Sequence, residues 1–168
     1  ICCKAYKKGQ FSFLRTVSMK VKNRKFKTAD SKIVAELIKN LYLEDPGGKP
    51  MSLQKIHNTF DSLLQHPDRG TIMILEYEGK IIGYAILINF WSNEFGGNIL
   101  NIDELYIKQG FRSRGIGTTF IKYLVDNKFG NSVALQLEVT PENNPARKLY
   151  ERLGFNIHKN DTMTLDLE

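Results

Sequence analysis

Apolar and polar positions recur along this chain with two different periods, and each change of period marks a new element. Val21 to Lys27 alternates briefly with a period of two and predicts a first strand. Ile33, Val34, Leu37, Ile38 and Leu41 then share one helical face, with Asp30 placed to cap it. Asp45 to Pro50 is a loop on composition. Ser52 opens a second predicted helix with Leu53, Ile56, Phe60, Leu63 and Leu64 along one side, and Pro67 ends it.

Strands follow. Thr71 to Tyr77 and Lys80 to Asn89 flank Glu78-Gly79, a hairpin signal, and the turn-like Ser92 to Gly97 leads into a third long run, Asn98 to Lys108. Beyond it Ile116, Phe120, Ile121, Leu124 and Val125 make a helical stripe, and Val133 to Val139 alternates again. Asn144 as cap and Pro145 in the first turn begin a last helix, with Ala146, Leu149, Tyr150 and Leu153 inward and Gly154 as its stop. Met163 to Leu167 alternates once more. Hairpins combined with a strand–helix–strand crossover predict an α/β fold: a mixed, mostly antiparallel sheet of six to seven strands flanked by about four helices.

The chain's 168 residues allow one domain with a real core, taken here as 19–168. The net charge of +6 changes the picture only when divided. Residues 1–27 hold nine Lys and Arg and no acid, which leaves fifteen basic against eighteen acidic residues in the remainder. The basic character therefore belongs to an N-terminal extension, 1–18, and the first few residues after it. That arm carries no recognisable nucleic-acid motif, so nucleic acid is not the expected partner. Cys2 and Cys3 are adjacent and cannot frame a disulfide scaffold; His57, His66 and His158 show no metal-ligand spacing, so no metal is expected. The longest apolar run, Ile81 to Phe90, is strand-length, far short of a membrane span. No leader with a cleavage site is visible, and the cytoplasm is the expected compartment.

The chemistry concentrates in two segments. Residues 105–117, Leu-Tyr-Ile-Lys-Gln-Gly-Phe-Arg-Ser-Arg-Gly-Ile-Gly, carry a strand through a basic, glycine-bearing turn into a helix. Glycines let the backbone approach a ligand, and the first amides of a helix attract an anion. Arg112 and Arg114 add charge suited to phosphate. A nucleoside-triphosphatase loop would need Lys-Ser/Thr where Ile116-Gly117 stands, and a dinucleotide fingerprint would need glycine in place of Phe120. What remains is Arg-x-x-Gly-x-Gly over 112–117. An ordinary glycine-containing turn could account for that hexapeptide alone. The second segment follows the next predicted strand: residues 143–155, with Asn143, Ala146, Leu149, Tyr150, Gly154 and Phe155 at the spacing Asn-x-x-Ala-x-x-Leu-Tyr-x-x-x-Gly-Phe.

The two motifs, in this order and with a strand between them, resemble the GNAT superfamily of N-acetyltransferases. The likeness runs from about Met19 to the end. It implies acetyl-CoA as co-substrate and direct transfer to a primary amine in a ternary complex. A polyamine, another small amine, or a protein lysine or N-terminus would be the acceptor, and family members commonly form homodimers. By this resemblance Leu105, Tyr106 and Ile107 lie along the pantetheine arm, and Arg112, Ser113, Arg114, Gly115, Ile116, Gly117 and Thr118 hold the diphosphate. Asn143 and Ala146 meet the arm from the other side, and Tyr150 protonates the leaving thiolate. Asp103 and Glu104, just before the turn, are candidates to assist amine deprotonation. Strand alternation implies that only one of them faces the cleft. The resemblance places the acceptor near Asp45, Phe90, Trp91, Glu94 and Phe95. A non-catalytic acyl-CoA-binding regulatory module is the alternative reading.

Overall fold

The computed structural model describes residues 19–45, 49–158 and 162–167. Five strands, β1 (Lys22–Lys25), β2 (Gly70–Tyr77), β3 (Lys80–Ser92), β4 (Gly97–Ile107) and β5 (Ala134–Leu137), lie in one sheet in chain order. The first four are antiparallel, and β5 joins β4 in parallel after a helical crossover. Four α-helices accompany them: α1 (Ser31–Glu44), α2 (Leu53–Gln65), α3 (Ile116–Asp126) and α4 (Asn144–Arg152). No described helix is long and apolar enough to cross a membrane.

The helices cover both faces of the sheet, and this explains why β2 and β3 read as nearly continuous apolar runs instead of alternating ones. On one face Ile72, Ile74, Tyr84 and Ile86 pack against Val34, Leu37 and Ile38 of α1 and Ile56 and Phe60 of α2. On the other, Met73, Leu75, Ala85, Leu87, Leu100 and Ile102 pack against Ile116, Phe120, Ile121 and Leu124 of α3. Ile33, Leu53, Leu64 and Val125 lie at the margins of their helical stripes and stay exposed. The β2–β3 turn has both central residues left-handed, Glu78 at φ 49° and Gly79 at φ 73°. That matches the twist of a two-residue hairpin.

Four expectations change. Asp30 precedes α1 but makes no side-chain cap to it. Its carboxylate instead accepts both terminal guanidinium nitrogens of Arg24, at 2.7 and 2.9 Å, and the Lys27 amide at 2.9 Å. Arg24 also donates to Glu76 at 2.8 Å, so a short edge strand is tied to the sheet and to the start of α1. An ion-paired anchor outcompetes a cap because Arg24 offers two charged donors where a helix offers one amide. The cap of α4 shifts one residue: Asn143, not Asn144, accepts the Ala146 amide, at 3.3 Å. Met163 to Leu167 adds no strand, and among the described residues the sheet has five strands, not six to seven. Met163, Leu165 and Leu167 are each more than four-fifths exposed. Alternation states which side chains would share a face; it becomes a strand only where the backbone also pairs, and no described strand pairs with this segment. Finally, β3 and β4 extend further than expected at their connecting turn, with consequences for the aromatic residues there. The basic extension 1–18 and the two cysteines lie outside the described residues.

Candidate active site

The site begins where two strands part. β4 and β5 pair from Ile99/Ala134 to Ile102/Leu137 and no further, yet β4 continues to Ile107. Lys108 donates its amide to Ile82 at 2.9 Å. Counting back by twos, the backbone groups of Tyr106 and Glu104 also turn to β3, which leaves those of Leu105 and Ile107 on the open side. A cleft of about 320 Å³ occupies the fork. Ile102 to Leu105 form one wall and Glu138 to Thr140 the other; Asn143, Ala146 and Tyr150 of α4 and the end of α1, Leu41, Tyr42 and Asp45, complete it.

A β-bulge sits in the first wall. Ile86 pairs with Glu104 and Leu87 with Ile102, so Asp103 has no partner on β3. Before the bulge the even-numbered Leu100 and Ile102 face α3; after it the odd-numbered Leu105 and Ile107 do. The extra residue resets the alternation, and both Asp103 and Glu104 line the cleft, where strict alternation implies one. Asp103 is exposed at the mouth, and Glu104 is half-buried. Glu104 accepts the Tyr84 hydroxyl at 2.7 Å. Partial shielding from water by the cleft walls raises both acids above their ordinary range, even at the more open Asp103; Glu138 pushes Asp103 further up, while the Tyr84 hydrogen bond and the nearby Tyr42 hydroxyl oppose the rise at Glu104.

The basic turn is shaped by two left-handed residues, Ser113 at φ 60° and Gly115 at φ 75°. Gly115 is the N-cap of α3 and supplies no side chain to it. The first intrahelical bond runs from Thr119 to Gly115, at 2.9 Å, so the amides of Ile116, Gly117 and Thr118 have no partner within the helix. Gly117 brings α3 against α4: a Cβ there would stand 3.3 Å from Leu149 Cδ2. Arg112 is braced rather than loose. Its Nε donates to the Ile107 carbonyl at 2.7 Å, its Nη2 pairs with Glu44 at 2.6 Å, and its guanidinium lies 5.1 Å from the Tyr106 ring centre. The Tyr106 hydroxyl donates to the same Glu44 at 2.8 Å, joining the turn to the end of α1. Arg114 lies over Phe111 at 5.8 Å and is exposed.

From α4, Tyr150 reaches the cleft with its ring 5.7 Å from Phe155. Burial alone pushes its phenol upward, with no charged partner. The structure thus brings Asp103, Glu104, Leu105, Asn143, Ala146 and Tyr150 together around one space. The 112–118 turn does not line that space; Gly117 meets Leu149 of α4, the helix that carries Ala146 and Tyr150 to it. Asp45 joins the cleft, but Phe90, Trp91, Glu94 and Phe95 do not. Trp91 pairs with Asn98 and Ser92 with Gly97, so those aromatic residues sit at the hairpin tip. Six residues of strand, about 20 Å, separate Gly97 from Asp103. Tyr42, Tyr84, Glu138 and Thr140 are cleft or support residues that sequence reasoning missed. Each reads as an ordinary position of its own helix, strand or loop, and acquires a role only across the fork.

A family model, Acetyltransferase (GNAT) family, matches residues 35–155. An uncharacterised N-acetyltransferase of Methanocaldococcus jannaschii is 34% identical over 95 residues, 55% of this chain. This chain spans 42% of that relative's length. Among solved structures, a possible acetyltransferase from Clostridium difficile 630 superposes with a TM-score of 0.76 at 23% identity, covering 88% of this chain and 98% of that one. AAC(6')-Iy in complex with the bisubstrate analogue CoA-S-monomethyl-acetylneamine superposes with a TM-score of 0.70 at 18% identity, covering 87% and 97%. A ribosomal-protein-alanine N-acetyltransferase from Brucella melitensis biovar Abortus 2308 gives 0.67 at 18%, covering 88% and 99%. The family match runs from within α1 to Phe155, three residues beyond α4, taking in the fork, the basic turn and α4, and so the chain belongs to the acetyltransferase (GNAT) family.

Proposed function

We propose that this domain is an acetyl-CoA-dependent N-acetyltransferase that passes acetyl directly to a primary amine. The observation that carries the reading is the fork, with an unpaired stretch of β4 on one side and a partner-less helix start at its end. The residues present fit the co-substrate. An extended, amide-bearing pantetheine arm can pair with the open backbone groups of Leu105 and Ile107 as an added strand does. The amides of Ile116, Gly117 and Thr118, with Ser113 and Arg114, suit a diphosphate. Arg112 and Tyr106 hold that turn in place through Glu44. Asn143 and Ala146 close the arm in from α4. When bound, acetyl-CoA supplies an activated acyl thioester. Tyr150 offers the cleft a phenol kept protonated by burial, a suitable donor to a departing thiolate. The CoA-linked analogue held by AAC(6')-Iy, which shares the fold, supports this choice of ligand.

The acceptor is a positively charged amine. Asp45, Asp103, Glu104 and Glu138 line the cleft from three separate elements, and among the described residues no lysine or arginine does. An alkyl ammonium has a pKa of about 10.4 and must shed a proton before it attacks. A carboxylate in the cleft can receive it.

The test is free-thiol release from acetyl-CoA over a panel of amines, run beside thermal denaturation with and without acetyl-CoA. Stabilisation by acetyl-CoA together with amine-dependent thiol release is expected. Stabilisation without release from any amine would leave a binding module; neither response would end the reading altogether.

A further inference from the structure

We infer that Tyr84 and Tyr42 are positioning residues that make Glu104, and not its neighbour Asp103, the group that takes the proton from the acceptor amine. This rests on the acetyl-transfer reading of the cleft and adds a division of labour within it. Asp103 is the extra residue of a bulge in β4. It turns Glu104 to the α1 face of the sheet, where Tyr84 waits in β3 with none of its side chain exposed. A phenol buried that completely needs a partner for its hydroxyl, and it has one, Glu104 Oε2 at 2.7 Å. Tyr42, in the last turn of α1, lines the cleft beside the same carboxylate and favours its charged form. Burial and the Glu104 charge push Tyr42 up to about 12 and Tyr84 well above the ordinary phenol value. Both phenols therefore stay protonated at working pH, and a protonated phenol beside a carboxylate favours its charged form.

Asp103 has no such support. No side chain among the described residues donates to it, it is exposed at the mouth, and its strongest charged neighbour is Glu138 on the opposite wall. Asp103, Glu138 and Asp45 are suited to attract an ammonium, whereas Glu104 is held in one orientation by the Tyr84 hydroxyl, which favours a proton acceptor. The groups facing Glu104 are Tyr42 from α1, Tyr84 from β3 and Asp103 from β4, with Glu138 after β5 acting on it through Asp103. In the step itself the ammonium N–H bond breaks and an O–H bond forms on Glu104. This leaves a neutral amine with its lone pair free, and Glu104 afterwards returns the proton to solvent.

The experiment measures two things on wild type, Tyr84→Phe, Tyr42→Phe, Glu104→Gln and Asp103→Asn: the pH dependence of kcat/KM, and the titration of the Glu104 carboxyl by carbon NMR in the free protein. Removing a donor from an ionised carboxylate raises its pKa, and a base works only above its pKa. Tyr84→Phe should therefore move the Glu104 titration and the acidic limb of kcat/KM upward together, by about one to two pH units. Tyr42→Phe should move both in the same direction by less, and provides the test if the Tyr84 variant fails to fold. Glu104→Gln should lower kcat/KM about 100-fold or more, and Asp103→Asn less than about tenfold with the limb in place. The inference is overturned if Glu104 titrates unchanged in both tyrosine variants, if Glu104→Gln keeps wild-type turnover, or if Asp103→Asn removes the limb. Should no amine release thiol even with wild type, the acetyl-transfer reading fails, while the carboxyl titration still decides whether the tyrosines set Glu104.

Discussion

Alanine at Gly115 and alanine at Gly117 should have different consequences, although the two glycines lie two residues apart in one motif. Gly115 sits at φ 75°, ψ 4°, and a Cβ there would meet nothing within 4 Å. Its substitution is therefore a test of backbone strain alone. Holding an L-residue in the left-handed region costs about 1–2 kcal/mol. Restricting the unfolded chain returns about 0.4–1 kcal/mol, for a net loss near 1 kcal/mol. For a domain of this size that is a fall in Tm of about 2–4 °C. Gly117 lies inside α3 with ordinary helical backbone, where alanine gains up to about 1 kcal/mol of propensity. Against this stands one close contact, 3.3 Å to Leu149 Cδ2, the end of a flexible side chain that can yield a few tenths of an ångström. Gly117→Ala should stay within about 2 °C of wild type, since half a kcal/mol moves Tm by about 1–2 °C. Differential scanning fluorimetry with and without acetyl-CoA reads both effects. Relaxing the strain at Gly115 also displaces the amides of Ile116 to Thr118, so the stabilisation by acetyl-CoA should shrink in Gly115→Ala and persist in Gly117→Ala. Gly117→Trp, which wedges an indole between α3 and α4, should abolish it. A Gly115→Ala protein as stable as wild type, or a Gly117→Ala protein less stable than Gly115→Ala, would refute the assignment of strain to one glycine and close approach to the other.

Tyr150→Phe should lower kcat about 100-fold while acetyl-CoA still raises Tm, and an unchanged kcat would remove Tyr150 as the acid. Glu138→Gln should cut the preference for an α,ω-diamine over a monoamine of equal length about fivefold, because a half-exposed ion pair contributes about 1 kcal/mol; steady-state kcat/KM ratios measure it. Asp30 titrates below the ordinary carboxylate range because Arg24 and the Lys27 amide hold its charged form. Its contribution to stability is thus complete above the unfolded pKa, about 3.9, and disappears as pH falls through the lower folded value. Urea midpoints of Asp30→Asn should accordingly lie below wild type at pH 7 and converge on it toward pH 2; parallel curves would contradict the linkage.

The order of strands and helices was legible in residue order because each element carries its own period, and so were the two motifs, whose residues are neighbours along the chain. Asp103, Glu104, Leu105, Asn143, Ala146 and Tyr150 were found that way, and the structure gathers them round one cleft. Three things needed the folded chain. The bulge at Asp103 is a mismatch between two strands, invisible from either alone, and it brings both acids into the cleft where alternation allows one. The hydrogen bond from Tyr84 to Glu104 joins β3 to β4, with Tyr42 of α1 beside it, and nothing local distinguishes Tyr84 from any buried aromatic residue of a core strand. The fate of Met163 to Leu167 turned on whether an edge accepts it, since alternating side chains specify a face and not a hydrogen-bonding partner. Periodicity is a property of neighbours in sequence, whereas register, support and the opening between β4 and β5 are properties of neighbours in space.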